Sequence, residues 1–585
     1  MLTIAARMVS GLRDSSTIEE IEGDLAKVIK DFDRAVNVET LRRIKETGEH
    51  CFHVMVHSQL CRVEQELLLG RLKAVETNYH QDFCCMDGTR EMLLEQLVDW
   101  ATKEPRQKES NTYWIYGLPG IGKTSLAHSI CARLHKRKHL AGAFFCRRDD
   151  ASLSEPRNIL PTLIYKLAII FPSFRRLVAE RLRNDPNLTP GSMNHTILLE
   201  LICEVPRHPK RTLVFLIDAV DECGDDITRP RVLRALTDAA AHAPWLKIII
   251  TSRPETDICR QFDALVGSPH ERHDLASDSQ APSDLRIFAQ ARFEGVASRR
   301  FLPSPWPERS LFDQVISRAA GLFIFIETIA RSVEQSENPS EHLRATVEDS
   351  AGTGLTPLYS LYSSILKEKI LHSTAEFRRM IGVLLIAAPH RPLCAETIAE
   401  LAGVRLDLVK TWMANLGSLL YQDEGTDGGI RVRHLSISDF FLSDDCHSDY
   451  HVDLQDANVE LGIACLKKMV EQLCFNICKL EDSRLANSEI DDLPSRIKEN
   501  ISDALQYSCL YWSNHLCFGA NNGNPRVWES LTKFFEGPYR LFWIEVLSVM
   551  GRVSLGVPSL RRVISKIVKV CTASTCTDCA QSNLV

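Results

Sequence analysis

The run Gly117-Leu118-Pro119-Gly120-Ile121-Gly122-Lys123-Thr124 constrains this chain more than any other stretch. It fits the spacing G-x-x-x-x-G-K-[ST]. In that pattern the glycines let consecutive backbone N–H groups converge on a phosphate, the lysine reaches the β- and γ-phosphates, and the hydroxyl ligates Mg²⁺. The chemistry requires a buried strand before the loop and a helix opening after it, so that the helix N-terminus faces the anion. Tyr113-Trp114-Ile115-Tyr116 reads as that strand, and Leu126, Ile130 and Leu134 recur at helical spacing beyond. A parallel α/β sheet is predicted, holding a nucleoside triphosphate (ATP or GTP) and Mg²⁺ at Gly117, Gly120, Gly122, Lys123, Thr124 and Ser125.

Such a loop needs an acidic residue at the end of a second buried strand. Leu213-Val214-Phe215-Leu216-Ile217-Asp218 supplies it, and Asp221 and Glu222 follow at once. Asp218 is expected to hold the metal with Thr124, and either Asp221 or Glu222 to orient or deprotonate an attacking water. A third strand, Leu246 to Ile250, runs into Thr251-Ser252-Arg253-Pro254-Glu255. Ligands of open parallel sheets lie beyond the carboxyl ends of the strands, which places Arg253 to sense a γ-phosphate. The alternative is a surface arginine paired with Glu255. Ala143-Phe144-Phe145-Cys146 is a fourth candidate strand; no role is assigned to the charges of Arg147-Arg148-Asp149-Asp150 behind it.

The 585 residues exceed one hydrophobic core and predict roughly three to five domains. A hydrophobic content of 44% and a charged content of 25% are those of ordinary globular proteins, and a net charge of −7 offers nothing to nucleic acid or anionic lipid. Apolar runs such as Leu322 to Ile326 are far too short to span a membrane, and residues 1–7 carry no secretion pattern, so a cytoplasmic protein is expected. The 19 cysteines then read as reduced thiols. Cys571, Cys576 and Cys579 cluster, but no fourth ligand lies near them for zinc.

Taken together, Gly117–Thr124, Asp218-Ala219-Val220-Asp221-Glu222 and Thr251-Ser252-Arg253-Pro254 resemble the NACHT branch of the STAND P-loop NTPases, the class that includes NOD-like receptors. The core is also similar to the nephrocystin-3-type N-terminal NTPase domain. The small residue after Asp218 and the distal acidic pair carry the NACHT resemblance. Arg318 to Phe325 is similar to the glycine-containing helix of that family's lid, and Leu358 to Leu366 to its linker. Helices over Ile381 to Ala388, Ala395 to Leu401 and Leu406 to Leu416, then two strands around Asp427-Gly428-Gly429, read as a winged helix. Its second helix could in principle read DNA, but only Arg405 and Lys410 flank or lie on Leu406 to Leu416. The resemblance implies that His434, in Val432-Arg433-His434-Leu435-Ser436-Ile437-Ser438-Asp439-Phe440-Phe441, closes over the β-phosphate of a bound diphosphate.

The expected architecture is multidomain α/β plus α: a helical region over 1–85, the P-loop NTPase sheet over 86–275, a helical lid over 276–370, a winged helix over 371–450 and a helical region over 451–585. Residues 1–85 are heptad-like at Ile18, Ile21, Leu25, Val28 and Ile29, which reads as a partial effector or as a brace on the core. The helical pattern over 504–516 and 542–548 resembles the spacer that precedes WD-type repeats in fungal NACHT proteins, yet no repeat of about forty residues follows. The resemblance implies a slow NTPase that switches between a closed diphosphate form and an oligomerising triphosphate form, acting with signalling proteins in innate-immune or cell-death pathways. A conventional P-loop ATPase and a non-hydrolysing nucleotide-binding scaffold are the alternatives.

Overall fold

A computed structural model describes residues 27, 61–104, 110–186, 188, 195–204, 211–265, 270–349, 356–423, 428–481, 485–518 and 524–565. The heptad-like positions 18–29 and the cysteine cluster at 571–579 lie outside the described residues. The chain divides into two compact units, Met1–Lys73 with Arg175–Thr189, and Ala74–Phe174 with Pro190–Val585. In the smaller unit, the Arg71 guanidinium donates to the carbonyls of Leu182 and Pro186, each at 2.6 Å, and Arg183 pairs with Glu64 at 2.9 Å.

The larger unit is built on a five-stranded parallel sheet of β1 (Thr112–Tyr116), β2 (Leu140–Phe145), β3 (Leu213–Asp218), β4 (Leu246–Ser252) and β5 (His270–Asp274), in the order β2-β3-β4-β1-β5. Strands β1 to β4 are largely apolar, buried runs, as a parallel sheet covered by helices requires. The strand bearing the loop and the strand bearing Asp218 are not neighbours. β4 lies between them, with Tyr113 opposite Ile249 on one side and Leu216 opposite Ile249 on the other. β5 was not anticipated. Its sequence, His-Glu-Arg-His-Asp, has no apolar run; unlike β2 at the opposite edge, its side chains are half-buried or exposed.

Beyond the sheet the structure is helical. A single hydrophobic cluster runs from Leu285 to Val563 and includes Phe325, Tyr362, Phe377, Trp412, Trp512 and Trp543. Helices Thr374–Ala387, Ala395–Ala402 and Leu406–Asn415 are followed by an antiparallel hairpin of β6 (Leu420–Asp423) and β7 (Gly429–Val432) and a short helix, Leu435–Phe441. The chain is thus a P-loop α/β sheet followed by helical regions. Among the described residues, no helix is long and apolar enough to cross a membrane.

Candidate nucleotide site

The loop leaves β1 at Gly117, whose N–H donates to the Ser252 carbonyl at 3.3 Å, so the end of β4 fixes where the loop begins. Gly120 and Gly122 have φ of +79° and +95°, conformations that L side chains resist. At Gly120 space matters as well: an added Cβ would lie 2.0 Å from Ile324 Cγ2. Gly122 caps the helix Lys123–Lys136, on which Leu126, Ile130 and Leu134 are all fully buried. Lys123 is buried and donates to the carbonyls of Gly117 at 2.8 Å and Leu118 at 2.9 Å. Burial lowers its pKa. Thr124 is exposed, Ser125 half-buried, and both occupy the first turn of the same helix.

Asp218 ends β3 and is 1% exposed. The hydroxyls of Thr251 and Thr124 both hydrogen-bond its carboxyl group, and burial pushes that carboxyl up to about 6 in spite of them. A threonine hydroxyl and a buried carboxylate are hard oxygen donors, the set Mg²⁺ takes alongside water and phosphate. Thr124 and Asp218 therefore fit a magnesium ion, and the loop with Lys123 fits a phosphate chain. Ala219 follows at φ +53°, with its N–H bonded to the Thr251 hydroxyl at 2.9 Å. The small residue that carried part of the family resemblance thus sits where the backbone turns left-handed and a larger side chain would be strained.

The two later carboxylates are differently engaged. Asp221 is buried and accepts from the Arg253 backbone N–H at 2.9 Å and from Arg253 Nε at 3.1 Å. Among the described residues, Glu222 accepts from the Arg148 N–H, at 3.3 Å. Burial, and then the charge of Asp221, push Glu222 up to about 8. Arg253 does not pair with Glu255. Its other partner is Asp439, 2.7 Å away on helix Leu435–Phe441.

His434 is the cap of that helix. Its Nδ1 accepts from the Ser436 N–H at 3.1 Å and lies 2.6 Å from Ser436 Oγ, which leaves the ring proton on Nε2. Ser436 Oγ is 2.8 Å from the buried Tyr362 hydroxyl, and Thr328 hydrogen-bonds that hydroxyl in turn. The ring points at the loop, with His434 Cε1 3.9 Å from the place a Cβ on Gly120 would take. Burial, reinforced by the positive charges of Lys123 and Arg253, holds the imidazole down at about 4, so it is neutral at pH 7.

The structure therefore gathers Gly117, Gly120, Gly122, Lys123, Thr124, Asp218, Asp221, Glu222, Arg253 and His434 around one loop, and Ser125 contributes only its place in the helix's first turn. Sequence reasoning missed Arg90, which is buried at φ +58°, donates to the Ile121 carbonyl at 3.3 Å and pairs with Asp278 at 2.7 Å. It also missed Thr251, Ser436, Tyr362, Arg148 and Asp439. All five stood inside segments already named: Thr251 with Arg253, Ser436 and Asp439 with His434, Tyr362 within Leu358 to Leu366, and Arg148 within the charged run behind the fourth candidate strand. Among the described residues no cluster of three or more His, Cys, Asp or Glu side chains is arranged to hold a metal by itself.

No curated protein matches the chain in sequence. Among solved structures, Drosophila ORC bound to DNA aligns with 14% identity over 64% of this chain and 90% of its own, at a TM-score of 0.29. A Walker-type ATPase of Pyrococcus abyssi aligns with 11% identity over 63% and 99%, also at 0.29. The replication initiator DnaA bound to AMPPCP and single-stranded DNA aligns with 11% identity over 82% and 100%, at 0.24. Residues 88–253, which contain the loop, Asp218, Asp221, Glu222 and Arg253, match the sequence profile of the family described as Nephrocystin 3, N-terminal.

Proposed function

We propose that this chain is a nucleotide-operated switch of the NACHT–STAND type: a slow NTPase whose closed form holds a diphosphate and whose triphosphate form opens and self-associates. The observation that carries this reading is the reach of His434. It belongs to the segment after the hairpin, far along the chain from the phosphate loop, yet its ring faces Gly120. An ordinary P-loop ATPase has no need of such a contact from a later module. In this reading the core spans 86–275, the lid 276–370, the winged helix 371–450 and the helical region 451–585, with signalling proteins as partners.

When bound with the nucleotide, Mg²⁺ supplies charge neutralisation of the phosphates. The chain's own residues do the rest. The loop amides and Lys123 hold the phosphate chain, and Thr124 and Asp218 hold the metal. His434 donates from Nε2 to the β-phosphate. Glu222, less engaged than Asp221 and buried enough to keep a raised pKa, takes the proton of the attacking water, while Asp221 positions Arg253. A shift from 1:99 to 99:1 between forms requires about 5.5 kcal/mol of differential affinity. The charge-assisted His434 contact accounts for about 1.5–3 kcal/mol of it.

The DNA seen with ORC and DnaA is not proposed for this chain. The two cations at helix Leu406–Asn415 are already engaged, Arg405 with Asp407 at 3.1 Å and Lys410 with Glu396 at 3.0 Å. The test is nucleotide content and mass of the purified protein, wild type against His434→Ala, by denaturing extraction and light scattering. Monomeric wild type with one diphosphate, and a variant that carries triphosphate or assembles, is the expected result. Nucleotide-free monomers in both, turning over at 1–10³ s⁻¹, would return the chain to the conventional ATPases.

A further inference from the structure

Asp439 is in an unusual position for a residue outside the NTPase sheet. Its two carboxylate oxygens are divided between two guanidiniums of the core: Oδ2 lies 2.7 Å from Arg253 and Oδ1 3.2 Å from Arg148. Arg253 extends from the end of β4 and Arg148 from the segment that follows β2, so the carboxylate bridges two strand ends on the same edge as the phosphate loop. The surroundings are strongly charged. Lys123 and Arg253 both depress His434, and Asp439 opposes them. A planar anion held between two arginines is the arrangement proteins use for carboxylate and phosphate alike.

We propose that Asp439 is a built-in substitute for a terminal phosphate: it occupies Arg253 and Arg148, and the γ-phosphate of a bound triphosphate competes with it for the same two guanidiniums. The proposal rests on the nucleotide reading above and adds to it a second phosphate-binding arginine, Arg148, and the means by which the extra phosphate is sensed. A diphosphate ends short of the pair and leaves Asp439 in place. A triphosphate brings a more highly charged anion to Arg253 and Arg148, and a displaced Asp439 takes helix Leu435–Phe441 off the core. His434 caps that same helix, so losing one contact weakens the other. Ligand and helix are then mutually exclusive occupants, which supplies the differential affinity that any ligand-driven shift requires.

Two measurements on the full chain test this. In the first, adenosine and guanosine diphosphates and their β,γ-imido triphosphates are titrated with Mg²⁺ into wild type, Asp439→Asn and Asp439→Glu. Asp439→Asn should tighten the triphosphate by about tenfold and leave the diphosphate within about twofold, while Asp439→Glu retains the wild-type preference. In the second, which needs no variant, hydrogen exchange across Leu435–Phe441 should speed up with the imido triphosphate and not with the diphosphate. If wild type binds both nucleotides and exchange in the helix is indifferent to the third phosphate, or if Asp439→Asn changes both affinities alike, the competition is wrong and the nucleotide reading stands. If wild type binds neither nucleotide, both fall together.

Discussion

Two regions of the larger unit bury polar side chains, and they do it by opposite means. Where helix Leu435–Phe441 and the hairpin meet the sheet, the contacts are ionic. Arg253 pairs with Asp221 and Asp439, and Arg148 with Asp439. The buried Arg431 of β7 pairs with Asp149 at 2.7 Å and Asp423 at 3.0 Å. In the helices from Leu454 to Val549 the buried polar groups are neutral. The Tyr507 hydroxyl and His515 Nε2 are 2.8 Å apart, His515 Nδ1 lies 3.1 Å from Asn458 Oδ1, and Trp543 Nε1 donates to the Cys509 carbonyl at 2.8 Å. On the proposed reading, Arg253 and Arg148 have an alternative partner in a phosphate. The neutral groups have none, and their exchange for water is costly. On the proposed reading the first region is a joint and the second a platform.

The largest expected effect is on the platform. Trp543→Ala removes a 1%-exposed indole packed against Trp512 and Phe534, and should cost about 3–5 kcal/mol in urea unfolding. Nucleotide affinity of the folded protein should not change; a coupled change would break the division between joint and platform.

Next in size is pH, where the two histidines and Glu222 act with opposite sign. His515, held at about 3 by burial, and His434, at about 4, stay neutral in the fold while the unfolded chain takes up protons below about 6.5. Their contribution is complete above that pH and is lost as pH falls from there, by about 1.4 kcal/mol per unit for each. Glu222 works the other way. Its folded pKa of about 8 exceeds that of the unfolded chain, so its contribution declines as pH rises from about 4.5 through 8. From these three groups, metal-free protein should be most stable near pH 6.5, about 1 kcal/mol above its value at pH 8, and Glu222→Gln should flatten the alkaline limb and steepen the acid one. A flat alkaline limb in wild type would show that Glu222 is already ionised.

The smallest effect belongs to Arg148→Gln. With 46% of its side chain exposed, the Arg148–Asp439 pair is screened by solvent and should be worth less than about 1 kcal/mol. That contribution should vanish in about 0.5 M salt, whose Debye length is only a few ångströms, while the cost of Trp543→Ala persists.

The phosphate loop and four of the five strands were legible because their signals are local. Glycines at fixed offsets and apolar runs such as Leu213 to Ile217 mean the same thing wherever the chain goes. Strand β5 was not, since an edge with polar side chains has no local signature. The charged joint was not either. Nothing in Arg147-Arg148-Asp149-Asp150 says that Arg148 meets a residue 291 positions later or that Asp149 meets one 282 later. Charges are cheap to place on any surface, and only tertiary proximity gives them partners. His434 was read from its motif, but the Ser436–Tyr362 hydrogen bond beside it depends on the packing of two separate helices.

The order of the sheet has one more consequence. With β4 hydrogen-bonded to β1 on one side and β3 on the other, the strand that carries the phosphate loop and the strand that ends in Asp218 are held two spacings apart, about 9.5 Å. Neither can approach the other without shearing a parallel ladder. The sheet is therefore a gauge of fixed width, and on the proposed reading the presence or absence of one more phosphate is registered by parts that hang from its edge and not by the gauge itself.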